Sequence, residues 1–262
     1  MNATDPKPTI VLVHGAFADA SSWDGVIERL QQQGCTVIAP ANPLRGVTAD
    51  SAYIAGLLGQ IEGPVLLGGH SYGGAVISAA ATSAPNVVGL VFVAAFAPDE
   101  GETLGEIENG SKDSVLNSAL VQYTYPAGPG GAIAVEFAIN PAHIREAFAG
   151  DLPPETTALM AATVAVVIHN YRWRLGAVGE PQYDDLERRL AGFPAIAVPA
   201  ITLEGDANGA PHADAYAYAY ASKFTGKYEH RVIGGGVGHN LPQEAPQAFA
   251  QAIIDVDGCL NR

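Results

Sequence analysis

The sequence predicts an α/β protein with a doubly wound, mostly parallel β-sheet. Its strand-like segments are continuous apolar runs, which are typical of parallel strands that helices cover on both faces. Helix-like segments lie between these runs, as expected for successive strand–helix units. Where the third run ends, one serine stands among glycines in the stretch GGHSYGG at 68–74. That stretch suggests that the carboxyl edge of the sheet carries a reactive group.

The predicted elements alternate through the first hundred residues and again near the C-terminus. Strands are predicted at 8–15, 35–40, 64–70, 87–96, 199–206 and 230–236. Helices are predicted at 23–34, 48–61 and 71–84. The repetitive stretch AYAYAYA at 215–221 is interpreted as a further helix, because it is rich in alanine and lies between two predicted strands.

The alternation breaks between about residues 99 and 190. This region is richer in proline, glycine and charge, and it contains helix-like pieces such as PAHIREAF and PPETTALMAATVAVV. It is too long to be a simple connection between two strands. We therefore predict a helical cap inserted at 99–190. The core is formed by 1–98 and 191–262, and the whole chain makes one structural domain.

Composition and charge exclude several classes of partner. The apolar fraction of 48% is that of a globular chain, so disorder is not expected. No apolar run approaches the ~20 residues that cross a bilayer, and the N-terminal MNATDPKPT lacks the pattern of a secretory signal. A net charge of −14 disfavours nucleic acid and anionic membranes, because both are polyanions. We expect a cytoplasmic protein that acts on a small molecule, either as a monomer or as a homo-oligomer.

The serine at position 71 lies in a G-x-S-x-G pattern between a predicted strand and a predicted helix. So sharp a turn forces unfavourable backbone angles on Ser71 and leaves no room for side chains at Gly69 and Gly73. It also exposes the serine Oγ beside a helix N-terminus, which favours negative charge. The stretch lacks the lysine of a phosphate-binding loop. These features predict that Ser71 is a nucleophile.

Two further motifs accompany the serine. The stretch LVHGAFADASSW at 12–23 follows the first predicted strand, and GGGVGHNLPQEAP at 234–246 follows the last one. With these three motifs the sequence resembles the α/β-hydrolase superfamily along nearly its whole length. It is most similar to small bacterial serine esterases, with relatives among metal-free haloperoxidases and hydroxynitrile lyases. The resemblance implies the α/β-hydrolase fold and a reaction that needs neither a cofactor nor a metal.

The motifs also assign roles to individual residues. A serine hydroxyl is a poor nucleophile unless a base takes its proton, and His239 in the third motif is the candidate base. The resemblance implies an oxyanion hole built from two backbone N–H groups. One belongs to Tyr72, which follows the nucleophile, and the other to Ala16, which follows the His-Gly pair of the first motif.

The acid that completes the catalytic triad is where the sequence departs from the family's usual pattern. The family usually places it three residues beyond a glycine, and here the stretch 205–208 puts Asn208 at that position. An amide can orient an imidazole but cannot stabilise the imidazolium as a carboxylate does. Asp206 in the same loop is therefore the first candidate. Asn208 as a weaker orienting group, and Asp99 or Glu100 after the fourth strand, are the alternatives.

Three functional hypotheses follow from this pattern. The first is a serine hydrolase that cleaves a small carboxylic ester or a related acyl compound through an acyl-enzyme. The second is an acid–base catalyst of the hydroxynitrile-lyase type that uses Ser71 and His239. The third is a ligand-binding protein with a degraded triad, which Asn208 suggests. Dehalogenases and epoxide hydrolases of this fold need an aspartate nucleophile, and position 71 is serine.

Overall fold

A six-stranded sheet of parallel strands forms the centre of the molecule. The computed structural model describes residues 7–98, 102–110, 114–126, 133–163, 195–207, 221 and 223–260. The strands in chain order are β1 (Thr9–Val13), β2 (Val37–Ile38), β3 (Val65–His70), β4 (Val87–Val93), β5 (Leu120–Pro126), β6 (Ile133–Ile139), β7 (Ala200–Gly205) and β8 (Tyr228–Ile233). Six of them form the sheet in the order β2-β1-β3-β4-β7-β8, whereas β5 and β6 form a separate antiparallel pair. The predicted α/β fold with a mostly parallel sheet is confirmed.

Helices lie between the strands as the alternation predicts. They are α1 (Asp24–Gln32), α2 (Val47–Leu58), α3 (Tyr72–Ala81), α4 (Leu104–Gly110), α5 (Leu116–Ala119), α6 (Ile144–Ala147), α7 (Pro154–Thr163), α8 (Leu241–Glu244) and α9 (Pro246–Leu260). The first three begin and end within three residues of the predicted bounds. The helix predicted at 215–221 falls almost wholly outside the described residues. Within the described part of the chain, no helix has both the length and the apolar character needed to cross a membrane.

Apolar side chains cover the sheet on both faces, which explains why its strands are continuous apolar runs. On β1, Val11 and Val13 point into a cluster that includes side chains of α2 and α3. Ile10 and Leu12 point into a second cluster, with side chains of α1 and α9. With both faces occupied, the carboxyl edge of the sheet is where side chains can meet a ligand.

The described part of the insertion contains α4 to α7 and also the β5–β6 pair, which the sequence analysis did not predict. The two strands pair from Leu120 opposite Ile139 to Pro126 opposite Ile133. Their sequences, LVQYTYP and IAVEFAI, are rich in β-branched and aromatic residues, and this was the available signal. Ile139 and Phe148 join the same apolar cluster as α3, so the insertion packs on the α3 side of the sheet. The exact domain bounds stay a prediction.

Candidate active site

Ser71 occupies a strained turn between β3 and α3. Its backbone angles are φ 52° and ψ −120°, a region that costs a non-glycine residue about 1–3 kcal/mol. The Ser71 N–H donates to the Val93 carbonyl at 3.2 Å, and the Ser71 carbonyl accepts from the Phe96 N–H at 3.0 Å. Bonds to β4 and to the residues after it therefore hold the strained conformation. We call residues 68–74 the serine turn.

Glycine is required on both sides of the serine. A Cβ placed on Gly69 would lie 2.7 Å from the Gly73 carbonyl oxygen, and one placed on Gly73 would lie 2.3 Å from the Val13 carbonyl oxygen. Both distances are shorter than any normal contact with a Cβ. The G-x-S-x-G spacing therefore reflects the close approach of α3 to the backbone of β1 and β3.

The loop after β1 brings Ala16 beside the serine. His14 accepts the Asn42 N–H at Nε2 (2.9 Å), so its Nδ1 carries the proton and donates to the Gly15 carbonyl at 2.9 Å. Burial lowers the pKa of His14, which keeps the ring neutral in this tautomer. A Cβ on Gly15 would lie 2.9 Å from the Ser71 Cβ. The His14–Gly15 pair thus packs closely against the serine turn and places Ala16 beside it.

The loop from 234 to 240, which we call the histidine loop, joins β8 to α8 and is bound on one side by Asp206. Asp206 follows β7, and its Oδ2 accepts the Gly235 N–H at 3.0 Å. Its Oδ1 accepts the N–H groups of Gly236 at 2.9 Å and Val237 at 3.0 Å. These donors, Gly235 foremost, lower the pKa of the exposed Asp206 carboxyl. Asp206 is therefore ionised at neutral pH and fixes the first half of the histidine loop.

The second half of the histidine loop is held on both sides of His239. Glu244, in α8, accepts the Gly238 N–H with Oε2 and the Asn240 N–H with Oε1, the latter at 3.2 Å. The His239 carbonyl lies 2.9 Å from Nε2 of His70, which donates to it because a carbonyl can only accept. The backbone is therefore anchored at three consecutive residues, and the His239 ring is placed accordingly.

The predicted nucleophile, base and oxyanion donors border one cavity of about 300 Å³, whose wall includes Ser71, His239, Tyr72 and Ala16. Ser71 is 8% exposed. Burial lowers the pKa of His239 to about 4, so the ring is neutral at neutral pH and can accept a proton. A buried hydroxyl, a neutral imidazole and a backbone turn at one cavity wall can support nucleophilic catalysis.

The rest of the cavity wall combines apolar and acidic side chains. Its described members include Phe17, Phe96, Leu104, Val115, Leu116 and Phe148, with the acids Glu108, Glu146, Asp151 and Glu244. Burial raises the pKa of Glu108, and the Ser114 hydroxyl donates to its carboxyl. None of the described wall residues is lysine or arginine. The described side chains also include no group of three or more His, Cys, Asp or Glu residues that could hold a metal ion.

Of the candidates for the triad acid, the structure describes Asp206. Ala207 borders the cavity, while the carboxylate of its neighbour Asp206 binds backbone N–H groups of the histidine loop. The alternatives Asn208, Asp99 and Glu100 lie outside the described residues. Sequence reasoning missed Glu244 altogether. The available signal was a carboxylate in the first turn of a helix directly after the histidine, where helix N-termini favour negative charge.

The fold and the site define a member of the α/β-hydrolase class. The chain matches the model of the Alpha/beta hydrolase family over residues 10–252, and it belongs to that family. The Pyrethroid hydrolase of Sphingobium wenxiniae is 32% identical to it over 175 residues, which cover 59% of this chain and 58% of that protein. The Carbendazim hydrolyzing esterase of a Nocardioides species, strain SG-4G, is 35% identical over 107 residues, which cover 36% of this chain and 44% of that protein.

A solved structure extends the similarity over the whole fold. A Klebsiella pneumoniae protein provisionally named an epoxide hydrolase is 33% identical to this chain, with a TM-score of 0.69. The match covers 97% of this chain and 92% of that one. The two curated relatives are matched over only about half of their own lengths.

Proposed function

We propose that this chain is a serine hydrolase that cleaves a small carboxylic ester, or a related acyl compound, through an acyl-enzyme on Ser71. The observation that carries the proposal is the wall of one cavity, where strained Ser71, neutral His239 and both oxyanion positions meet. The relatives named as hydrolase and esterase support hydrolysis of an ester.

In the first half of the reaction the substrate's acyl group moves to Ser71. The hydroxyl oxygen attacks the ester carbonyl while His239 accepts the hydroxyl proton. The N–H groups of Tyr72 and Ala16 donate to the oxyanion that forms. When the tetrahedral intermediate collapses, the carbon–oxygen bond to the alcohol breaks, and the alcohol leaves with the proton from His239.

In the second half, water releases the acyl group. His239 takes a proton from the water as its oxygen attacks the acyl carbon, and the same two N–H groups hold the second oxyanion. The bond to Ser71 then breaks, and the serine oxygen recovers its proton from His239. The products are one carboxylic acid and one alcohol, with water as the only co-reactant, so atoms and protons balance.

The described cavity wall favours a neutral substrate with an apolar acyl part. Its acidic side chains would repel an anionic ester, and its described members include no lysine or arginine to compensate. The same composition disfavours the lyase hypothesis, for which a basic side chain near the oxyanion site would be the supporting observation. An epoxide hydrolase that forms an ester on an aspartate is disfavoured because position 71 is serine.

For the third member of the triad, Asp206 stays the first candidate, with Asn208 and Asp99 as alternatives. The described contacts of Asp206 support an additional part in holding the histidine loop. A carboxylate offers about four lone-pair sites, and three backbone N–H groups already occupy sites on Asp206. A hydrogen bond from the His239 imidazole would therefore have to use the remaining lone-pair site of Asp206.

The acyl-enzyme is tested by pre-steady-state kinetics with short p-nitrophenyl esters. We expect the parent to release about one equivalent of nitrophenol in a burst, and we expect Ser71→Ala to show no burst and a kcat lower by about 10⁴-fold or more. Ser83→Ala, just beyond the other end of α3, is the matched control and should behave like the parent.

A second measurement locates the covalent bond. After reaction with a fluorophosphonate, peptide mass spectrometry should find the adduct on Ser71 and on no other residue. An adduct elsewhere, or turnover that survives Ser71→Ala unchanged, would overturn the proposal. If neither the parent nor Ser71→Ala turns over any ester, ligand binding without turnover becomes the better hypothesis, with an affinity that Ser71→Ala leaves intact.

A further inference from the structure

Glu244 is the side chain that contacts the backbone on both sides of His239. Its carboxyl accepts the Gly238 N–H and, at 3.2 Å, the Asn240 N–H. His70 donates to the carbonyl between them at 2.9 Å. A shift of Glu244 would therefore move the peptide groups that carry the His239 ring. The proposed triad does not use Glu244, although it borders the same cavity.

A second carboxyl group meets Glu244 from the insertion. Asp151 follows α6, and its carboxyl lies beside that of Glu244, close enough for a side-chain hydrogen bond. Such a bond requires a proton on one of the two groups, because ionised carboxylates have only acceptors. A proton retained on Glu244, whose pKa burial raises, lets this carboxyl donate to Asp151.

The glycine before His239 makes room for this pair. A Cβ on Gly238 would lie 3.1 and 3.2 Å from the two Glu244 carboxyl oxygens and 3.5 Å from an oxygen of Asp151. A Cβ would be tight against Glu244 and in ordinary contact with Asp151, so the missing side chain eases the approach of Glu244 to the Gly238 backbone. The glycine of the G-H pair in the third motif thus has a local steric reason, which is the closeness of Glu244.

We infer that Glu244 is a positioning residue for His239, and that the proton it shares with Asp151 ties the histidine loop to the insertion. The inference rests on the proposed function, in which His239 is the general base. It adds that the placement of this base depends on the protonation of a neighbouring carboxyl pair. The insertion would then contribute to catalysis by fixing the histidine loop as well as by enclosing substrate.

The charges around the pair determine the pH at which this dependence is expected. Burial foremost, and then Asp151, raises the pKa of Glu244 to about 7. On the histidine loop, His239 is neutral above pH about 4. The groups on the insertion and cavity wall are Glu108 and Glu146, which add negative charge, and Arg145, whose guanidinium donates to the Leu152 carbonyl next to Asp151. Negative charge on the two glutamates favours retention of the proton, and the Arg145 guanidinium opposes it.

The sign of the effect follows from this raised pKa. A folded state that holds a proton more tightly than the unfolded chain is stabilised at low pH. That contribution is lost as pH rises from the ordinary pKa of glutamate, 4.5, through about 7. Above that pH two carboxylates face each other, and the histidine loop loses its contact with the insertion. We expect kcat to fall by about three- to tenfold as pH rises through about 7.

The test compares pH profiles of kcat and KM for the parent, Glu244→Ala, Asp151→Asn and the control Glu62→Gln. Glu244→Ala removes both acceptors and should lower kcat by about ten- to a hundredfold with little change in KM. Asp151→Asn supplies a permanent N–H donor to Glu244, so its kcat should no longer fall through pH about 7. Glu62 lies just before β3, at the opposite edge of the sheet, and Glu62→Gln should keep the parent profile.

A readout without substrate separates failure of this inference from failure of the proposed function. Melting temperatures between about pH 5 and pH 9 should fall in the parent as the pair ionises, and stay flatter in Asp151→Asn. A parent that bursts on Ser71, with a pH profile that neither Glu244→Ala nor Asp151→Asn changes, overturns the inference alone. A parent that carries its fluorophosphonate adduct elsewhere than on Ser71 overturns the proposed function, and the melting profiles still decide whether the pair exists.

Discussion

The serine turn and the histidine loop are built on different physical principles, although they meet at the same cavity. Steric contact between backbones fixes the serine turn, since Gly69 and Gly73 leave no room for a Cβ. Two acidic side chains fix the histidine loop, since Asp206 binds its first half and Glu244 its second half. One half of the proposed catalytic pair therefore depends on shape, and the other depends on ionisation.

Because of this difference, the two regions should respond differently to pH and to substitution. Packing contacts do not change with pH, so the Ser71 backbone keeps its conformation wherever the protein is folded. The acidic side chains around His239 change their charge with pH. The position of the base therefore depends on pH, whereas the position of the nucleophile does not. Substitutions should show the same contrast, with large steric effects in the serine turn and graded electrostatic effects in the histidine loop.

The largest expected effect comes from Gly73→Ala in the serine turn. The new Cβ would lie 2.3 Å from the Val13 carbonyl oxygen, so the start of α3 must move away from β1. We expect a loss of about 3 kcal/mol in the free energy of unfolding, measured by urea denaturation. The matched control is Gly56→Ala in α2, where a Cβ meets nothing within 4 Å.

That control should change stability in the opposite direction. Alanine has a higher helix propensity than glycine, so Gly56→Ala should stabilise the protein by up to about 1 kcal/mol. If Gly73→Ala unfolds at the urea concentration of the parent, the serine turn is not held by steric contact and the comparison fails.

A smaller effect is expected where the two regions are linked directly. His70, inside the serine turn, donates to the His239 carbonyl at 2.9 Å. His70→Leu leaves that part-buried carbonyl without its donor and should cost about 1–3 kcal/mol in stability. His70→Gln keeps an N–H at a similar reach and should recover part of the loss. Equal losses in both variants would show that the bond matters less than the shape of the ring.

The same two histidines predict how the protein responds to acid. Burial foremost lowers the pKa of His70 to about 3 and that of His239 to about 4, below their ordinary value of 6.5. The unfolded chain then binds more protons than the folded one between these values. Stability therefore falls as pH drops from about 6.5 towards about 3. Melting temperatures followed by circular dichroism should show this slope, and His70→Leu should make it shallower.

The sequence predicted the serine turn well and the histidine loop only in part, for a physical reason. The constraints on Gly69, Ser71 and Gly73 arise within one turn, so they leave a local pattern. The partners of the histidine loop include Asp206 and His70, which are distant along the chain. A carboxylate that binds backbone N–H groups needs no particular residue opposite it, so such contacts leave little trace in a sequence. The β5–β6 pair was missed because short alternating strands carry a weak signal.

The smallest expected effect, and the one that decides the role of Asp206, comes from Asp206→Asn. An amide keeps one acceptor oxygen but turns an N–H group towards the donors Gly235 to Val237. If holding the histidine loop is the main role of Asp206, kcat should fall about tenfold. A residue that orients the imidazole directly would lose about 10⁴ in kcat on the same change. Steady-state kinetics distinguish the two, with Asp24→Asn on the exposed face of α1 as the control.

Two companion variants complete the assignment of the triad acid. Asn208→Asp restores a carboxylate at the position that the family usually uses, and a rise in its kcat would place the orienting group there. A loss near 10⁴ in Asp99→Asn would place it after β4 instead. A loss of that size in Asp206→Asn would make Asp206 the triad acid as well as a holder of the histidine loop. Both halves of that loop would then depend on carboxylates close to the reacting atoms, and the contrast with the serine turn would be sharper still.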